Sequence, residues 1–291
     1  MLEYHDLQLQ DREKLSPLLY AAGCRGCEYS FSNLYLYRSL YQPQVAYVGG
    51  GALVRYGTHG EHLWPLGFDD PKPVIEQMLQ ELDEVYFTAL SKQDADYMEA
   101  TFPELCREQA VSTHCEYVYA SQDLANLSGK RYHAKRNHCA RFERNNPGYR
   151  FEVITRENIG EVEQMNERWY LTLQQQGYGD GLEEDHICSA GALREFFELG
   201  LQGGLLRTEQ GVIAWAAGQE LGECCFCTHI EKARHDIEGS YAVINRDFAR
   251  HFCTDYPYIN REDDAGDPGL RKAKLSYHPE IILQKYKVRL K

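Results

Sequence analysis

The order of secondary-structure signals constrains this chain more than any single motif. From residue 149 onward it reads as a strand (149–154), a long amphipathic helix (157–176) with Ile159, Val162, Met165, Trp169 and Leu173 on its buried side, and a second helix (193–199). Three strands follow (204–208, 212–219 and 223–230), then a helix from Gly239 to 251, a strand (256–260), a helix and a last strand (281–288). The first half repeats the alternation. It carries an aromatic helix (31–41), a hairpin of 44–48 and 52–56 turned at Gly49, Gly50 and Gly51, a helix (71–82), a strand (85–89), a helix (91–102) and a strand (115–119). Strands and helices mixed in this way predict an α/β chain (α+β, mixed sheet) of two similarly folded domains, 1–125 and 126–291, joined by the polar connection 121–130.

The densest chemistry lies in residues 256–279. A short strand leads into a loop with three consecutive carboxylates, Glu262, Asp263 and Asp264, and two glycines, Gly266 and Gly269. Asp267 is placed to cap the next helix, Pro268 suits its first position, and Pro279 stops it. Helical spacing sets Arg271, Lys274 and Tyr277 or His278 along one side. Strand, acidic loop and cationic helix face converge, and loops on rigid elements are where chemistry concentrates.

Charge narrows the partners. The net charge is −13, but residues 128–150 hold seven Lys and Arg against one Glu, and residues 269–291 again seven against one. An acidic chain does not bind DNA or an anionic membrane through its general field, whereas two local basic islands suit a phosphate-bearing ligand. No apolar run approaches the roughly 18 residues of a membrane span, and the first residues lack the pattern of a signal peptide, so a cytoplasmic location is expected. The ten cysteines then read as reduced thiols. Cys24 and Cys27 form a lone Cys-x-x-Cys pair without a second pair at zinc spacing, and Cys224, Cys225 and Cys227 fall in a strand where neighbours face opposite ways, so no metal site is expected.

The element order of the second half resembles that of Gcn5-related N-acetyltransferases (GNAT), in which a helix N-terminus after the fourth strand faces the pyrophosphate of the acyl donor. The corresponding segment is Glu231 to Tyr241, with Gly239 in place and Tyr241 where a second small residue is usual. Three segments are also similar to the bacterial family that shares the phosphatidylglycerol lysyltransferase C-terminal domain: Leu127 to His138, Glu231 to Asn245, and Asn260 to Tyr277 with its Asn-Arg-Glu-Asp-Asp and Gly-Leu-Arg-Lys-Ala-Lys-Leu-Ser-Tyr runs. That resemblance implies two tandem acyl-CoA N-acyltransferase (GNAT)-like domains and transfer of an acyl or aminoacyl group to an amine or hydroxyl, with no tightly bound cofactor and with aminoacyl-tRNA or acyl-CoA as the donor.

On that basis Lys130, Arg131, Lys135 and Arg136 are expected to meet phosphates, and Arg271 and Lys274 to hold the phosphate or carbonyl end of the donor. Asp263 or Asp264 would bind an amine or act as base, with Tyr277 as a further catalytic candidate. Asn137, Gly239, Ser240, Tyr241, Asn260, Arg261 and Glu262 complete the expected donor or substrate site. The alternative is a non-catalytic module of the same fold that holds a small phosphorylated ligand. No Ser/His/Asp or Cys/His arrangement is legible in the sequence.

Overall fold

The structure, a computed structural model of the chain, describes every residue except 24–25, 105, 112–114, 178–180 and 291, and residues 106–111 through their backbone only. Its strands are β1 (His5–Asp6), β2 (Pro43–Val48), β3 (Gly51–Tyr56), β4 (Glu61–His62), β5 (Val85–Leu90), β6 (Cys106–Val111), β7 (Glu116–Ala120), β8 (Arg150–Val153), β9 (Gln202–Thr208), β10 (Gly211–Glu220), β11 (Cys225–Ala233), β12 (Tyr258–Asn260), β13 (Ile281–Leu283) and β14 (Tyr286–Leu290). The helices are α1 (Arg12–Ala21), α2 (Phe31–Leu36), α3 (Arg38–Tyr41), α4 (Lys72–Glu81), α5 (Lys92–Thr101), α6 (Ser121–Asn126), α7 (His133–Asn145), α8 (Ile159–Gln175), α9 (Leu182–Arg194), α10 (Ser240–Phe252) and α11 (Pro268–Leu275).

Two mixed sheets organise them, in the orders β1-β2-β3-β4-β5-β14-β6 and β13-β7-β12-β11-β10-β9-β8. Each contains one parallel pair among antiparallel neighbours, β4 with β5 and β11 with β12, and in each case a helix connects the two strands. The fold is thus the expected mixed α/β arrangement of two GNAT-like units in tandem. The sheets also exchange strands. β7, from the first half of the sequence, pairs between β12 and β13 in the second sheet, while β14, from the end of the chain, pairs between β5 and β6 in the first.

Each exchanged strand is anchored by its side chains. Val288 and Leu290 of β14 join the core of the first sheet with Phe87, Ile75 and Met98, and Tyr117 and Tyr119 of β7 join that of the second with Phe226, Val243 and Phe248. A third core spans both halves, packing Leu15, Tyr29, Phe31 and Leu34 against Trp215, Leu205 and Phe196. Trp215 is fully buried there, and truncating such a side chain costs about 3–5 kcal/mol. The two halves therefore share apolar interior.

Local side-chain signals explain three of the helix starts. Ser91 and Asp94 form a capping box at α5, Ser30 accepts from the Asn33 amide at the start of α2, and Asp267 caps α11 with Pro268 at its first position. Three expectations are corrected. The aromatic helix breaks at Tyr37, where the backbone leaves helical values, into α2 and α3. The helix expected at 193–199 lies earlier, at Leu182–Arg194, begun by Gly181 in a left-handed conformation and favoured by Glu183, Glu184 and Asp185 in its first turn. The last strand is two strands in different sheets.

Candidate active site

β11 and β12 pair in parallel only from Cys225/Tyr258 to Cys227/Asn260. Beyond that point β11 continues to Ala233, while the chain after Asn260 stays with β7, the Arg261 amide donating to the Tyr117 carbonyl (3.0 Å) and the Tyr117 amide to that of Glu262 (3.2 Å). The strands fork. At the fork β11 carries a bulge, since Ile230 faces Ala217 and Thr228 faces Gly218, leaving His229 without a cross-strand partner. A bulge of this kind re-aims side chains. Cys225, Cys227 and Ile230 consequently pack into the core shared by the halves, and Phe226 and Ala233 into that of the second sheet.

On one side of the fork Arg261 Nη2 donates to both oxygens of Glu231 (3.0 and 3.2 Å), and Asn245 Nδ2 of α10 donates to Glu231 Oε2 (3.1 Å). The Arg261 guanidinium lies 5.0 Å from the ring centre of Tyr277 and 5.7 Å from that of Tyr119, and the Lys135 ammonium of α7 lies 3.8 Å from the same Tyr277 ring. Burial and the neighbouring Arg261 charge lower Lys135 to about 8. Arg261 stays charged, because Glu231 outweighs the cost of its burial, and burial pushes the Tyr277 hydroxyl up. Arg261 Nη1 and Asn245 Oδ1 are buried and have no hydrogen-bond partner among the described residues. Two polar atoms so placed are suited to a ligand.

On the other side His229 Nδ1 lies 2.8 Å from Glu262 Oε1 and its Nε2 3.3 Å from Ser30 Oγ, while Asn33 Nδ2 donates to Glu262 Oε1 (3.4 Å). Glu262 holds this place in a left-handed conformation (φ +58°) that a non-glycine residue adopts at a cost. Hydroxyl, imidazole and carboxylate stand in the order of a nucleophilic triad. Ser30, however, is almost completely buried at the cap of α2, out of reach of a substrate carbonyl. Sequence reading missed this constellation because 199 residues separate Ser30 from His229.

The acidic loop is largely self-satisfied. Asp264 accepts from Arg271 Nε (2.6 Å) and Nη2 (3.0 Å) and from the Tyr117 hydroxyl (2.5 Å), and the Arg271 contact, supported by Tyr117 and the Gly266 amide, holds its carboxyl well below the usual range. Asp263 accepts from the Ala265 amide (3.1 Å). Lys274 is buried, and its ammonium donates to the carbonyls of Arg261 (2.6 Å) and Asp263. Burial and the Arg261 charge lower its pKa. Asn260 accepts from the Glu262 amide (2.8 Å) and donates to Glu116.

The basic segment divides. Lys130 is exposed, Arg131 pairs with Asp123, Arg136 donates to the carbonyls of Leu127 and Gly129, and Asn137 bonds His133, so Lys135 is the one of these five that turns toward the fork. At the start of α10, Gly239 has φ +85° and sits so close to α7 that a Cβ would lie 2.5 Å from the His138 carbonyl oxygen. Ser240 donates to the Arg234 carbonyl (3.0 Å), and the Tyr241 hydroxyl accepts from Trp169 Nε1 (3.3 Å). The thiols Cys27, Cys115, Cys139, Cys188, Cys225, Cys227 and Cys253 are free as expected, whereas Cys224 is in a disulfide; Cys24 lies outside the described residues.

Residues 22–289 match the family described as phosphatidylglycerol lysyltransferase, C-terminal. The chain belongs to that family. A conserved protein of unknown function from Bacteroides thetaiotaomicron is 33% identical and superposes over the whole of both chains with a TM-score of 0.93. L-PGS from Bacillus licheniformis, 18% identical, shares the fold with a TM-score of 0.64 over 96% of this chain and 91% of its own. An uncharacterized protein of Mycoplasmoides gallisepticum is 23% identical over 229 residues, 76% of this chain and 71% of that protein. Family and fold indicate acyl-transfer chemistry as the class of function. No described helix is long and apolar enough to cross a membrane.

Proposed function

We propose that the chain transfers an acyl or aminoacyl group from a phosphate-bearing donor, an aminoacyl-tRNA or an acyl-CoA, to an amine or hydroxyl acceptor, which in this family includes a lipid headgroup. The observation that carries the reading is the Tyr277 ring with the Lys135 ammonium and the Arg261 guanidinium around it, at the point where two parallel strands fork. In the reaction the acceptor attacks the donor carbonyl, a C–N or C–O bond forms, and the ester C–O or thioester C–S bond breaks. Glu231, held by Arg261 and Asn245, accepts the proton that the acceptor loses. Lys135, lowered to about 8, returns a proton to the departing oxygen or sulfur. Arg261 Nη1, which has no partner among the described residues, is available to the developing negative charge on the carbonyl oxygen.

The test incubates the purified protein with radiolabelled aminoacyl-tRNA or acyl-CoA, and with phosphatidylglycerol vesicles or small amines as acceptors. Label transferred by wild type and lost with Lys135→Met supports the reading. Donor binding without transfer to any acceptor favours a non-catalytic module.

A further inference from the structure

Among the described residues, two clusters bring three metal-ligating side chains within 4.8 Å of one another. One of them, Cys27, Glu28 and Glu116, already has a cation, since the Lys285 ammonium bonds both carboxylates. The other is Cys227, His229 and Glu262. Cys227 Sγ lies 3.6 Å from His229 Nδ1 and 3.9 Å from Glu262 Oε1, and among the described residues no lysine or arginine bonds this Glu262 oxygen.

We propose that Cys227, His229 and Glu262 bind one divalent transition-metal ion of the zinc class, through Sγ, Nδ1 and a carboxylate oxygen. The donor set suits it, because thiolate, imidazole and carboxylate together select a borderline ion over calcium or magnesium. The spacing suits it too. Tetrahedral bonds of about 2.0–2.3 Å place ligand atoms about 3.3–3.8 Å apart, near the two sulfur distances, and the His229–Glu262 separation of 2.8 Å is that of a hydrogen bond which the ion replaces. The bulge aims His229 at this point and the left-handed backbone of Glu262 delivers its carboxylate. Ser30 Oγ stands at the opposite ring nitrogen, where a second partner fixes the tautomer of a ligating histidine. On binding, the Cys227 thiol releases one proton to solvent and becomes the thiolate ligand, while the neutral imidazole takes the tautomer protonated at Nε2, whose N–H hydrogen-bonds to Ser30 Oγ. Three protein ligands leave a fourth position to water. The site is independent of the transfer reaction proposed above.

The experiment titrates cobalt(II) into the full chain after chelator treatment and follows the thiolate-to-cobalt charge-transfer absorption, with zinc competition and metal analysis. One equivalent of tightly held metal is expected, with a band lost in Cys227→Ser and retained in Cys27→Ser. Ser30→Ala is expected to weaken affinity by about tenfold, the scale of a lost outer partner. Zinc should also raise the melting temperature of wild type more than that of Glu262→Gln, a readout that holds even if the cysteine variant fails to fold. No charge-transfer band in wild type, a band surviving Cys227→Ser, or equal zinc affinity in wild type and Glu262→Gln would overturn the assignment.

Discussion

Lys285 and Glu116 form a buried ion pair at the place where the two exchanged connections cross. Glu116 is the first residue of β7 and Lys285 the last before β14, and each lies where the chain leaves one sheet for the other. Glu28 contributes a second carboxylate to the same ammonium, and the Cys27 amide donates to Glu116 (3.0 Å). Burial opposes the charge on Glu116, but Lys285 and these donors prevail and hold it at about 2. Removing the cation strands two carboxylates in the interior. Lys285→Met should therefore destabilise the chain by about 3–5 kcal/mol in denaturant titrations, and the double variant with Glu116→Gln should recover part of the loss. Equal stability of Lys285→Met and wild type would show that water reaches the crossing.

The Asp264 to Arg271 pair sets an acid limit. A carboxyl whose folded pKa is depressed contributes stability that is present above its unfolded value, about 3.9, and is lost as pH falls toward the folded one. Asp264→Asn should accordingly be less stable than wild type at pH 6, with the difference shrinking steadily below about pH 4. Urea unfolding at a series of pH values measures it, and a constant difference would disprove the linkage.

Lys135 predicts the alkaline limb of the transfer reaction. Its proton is needed by the leaving group, so the rate should fall as pH rises through about 8. In Lys135→Arg the limb should move to higher pH, and Lys135→Met should be slower by about 10²–10⁴-fold without the limb. An unchanged profile in Lys135→Arg would remove Lys135 from the chemistry.

Lys274 and Lys272 occupy the same helix with different surroundings. Lys274 is buried against two carbonyls, whereas Lys272 is exposed. Lys274→Ala should cost about 1–3 kcal/mol through the carbonyls left unsatisfied, and Lys272→Ala no more than about 0.5 kcal/mol. Matching melting temperatures for the two variants would contradict the placement of the Lys274 ammonium.

Much of this architecture was legible because it is written locally. Asp267 and Pro268 announce α11, Ser91 announces α5, and the periodic apolar face of α8 is plain. The exchange of strands was not. Residues 281–288 lack a glycine or proline, so nothing local marks Gln284 and Lys285 as the passage between sheets; the break is set by partners far away, Glu28 and Glu116. The side chains around the fork divide in the same way. Asn260, Arg261 and Glu262 stood out as one run, but Glu231 and His229, which bond Arg261 and Glu262, and Asn245 and Ser30, which bond those two in turn, come from β11, α10 and the start of α2. The bulge at His229 has no glycine in β11 itself, and the one that accommodates it, Gly218, lies opposite on β10.

The interleaving of β7 and β14 also bears on how the chain is made. The first sheet keeps a gap between β5 and β6 until residues 286–290 arrive, the last of its strands to be synthesised. An N-terminal half emerging from the ribosome cannot finish its sheet and wait, as an independent domain does. Instead β6 has to be held open, or covered, until translation has reached the far end of the second half. A chain stopped after residue 283 would thus leave its damage in the half that was completed first.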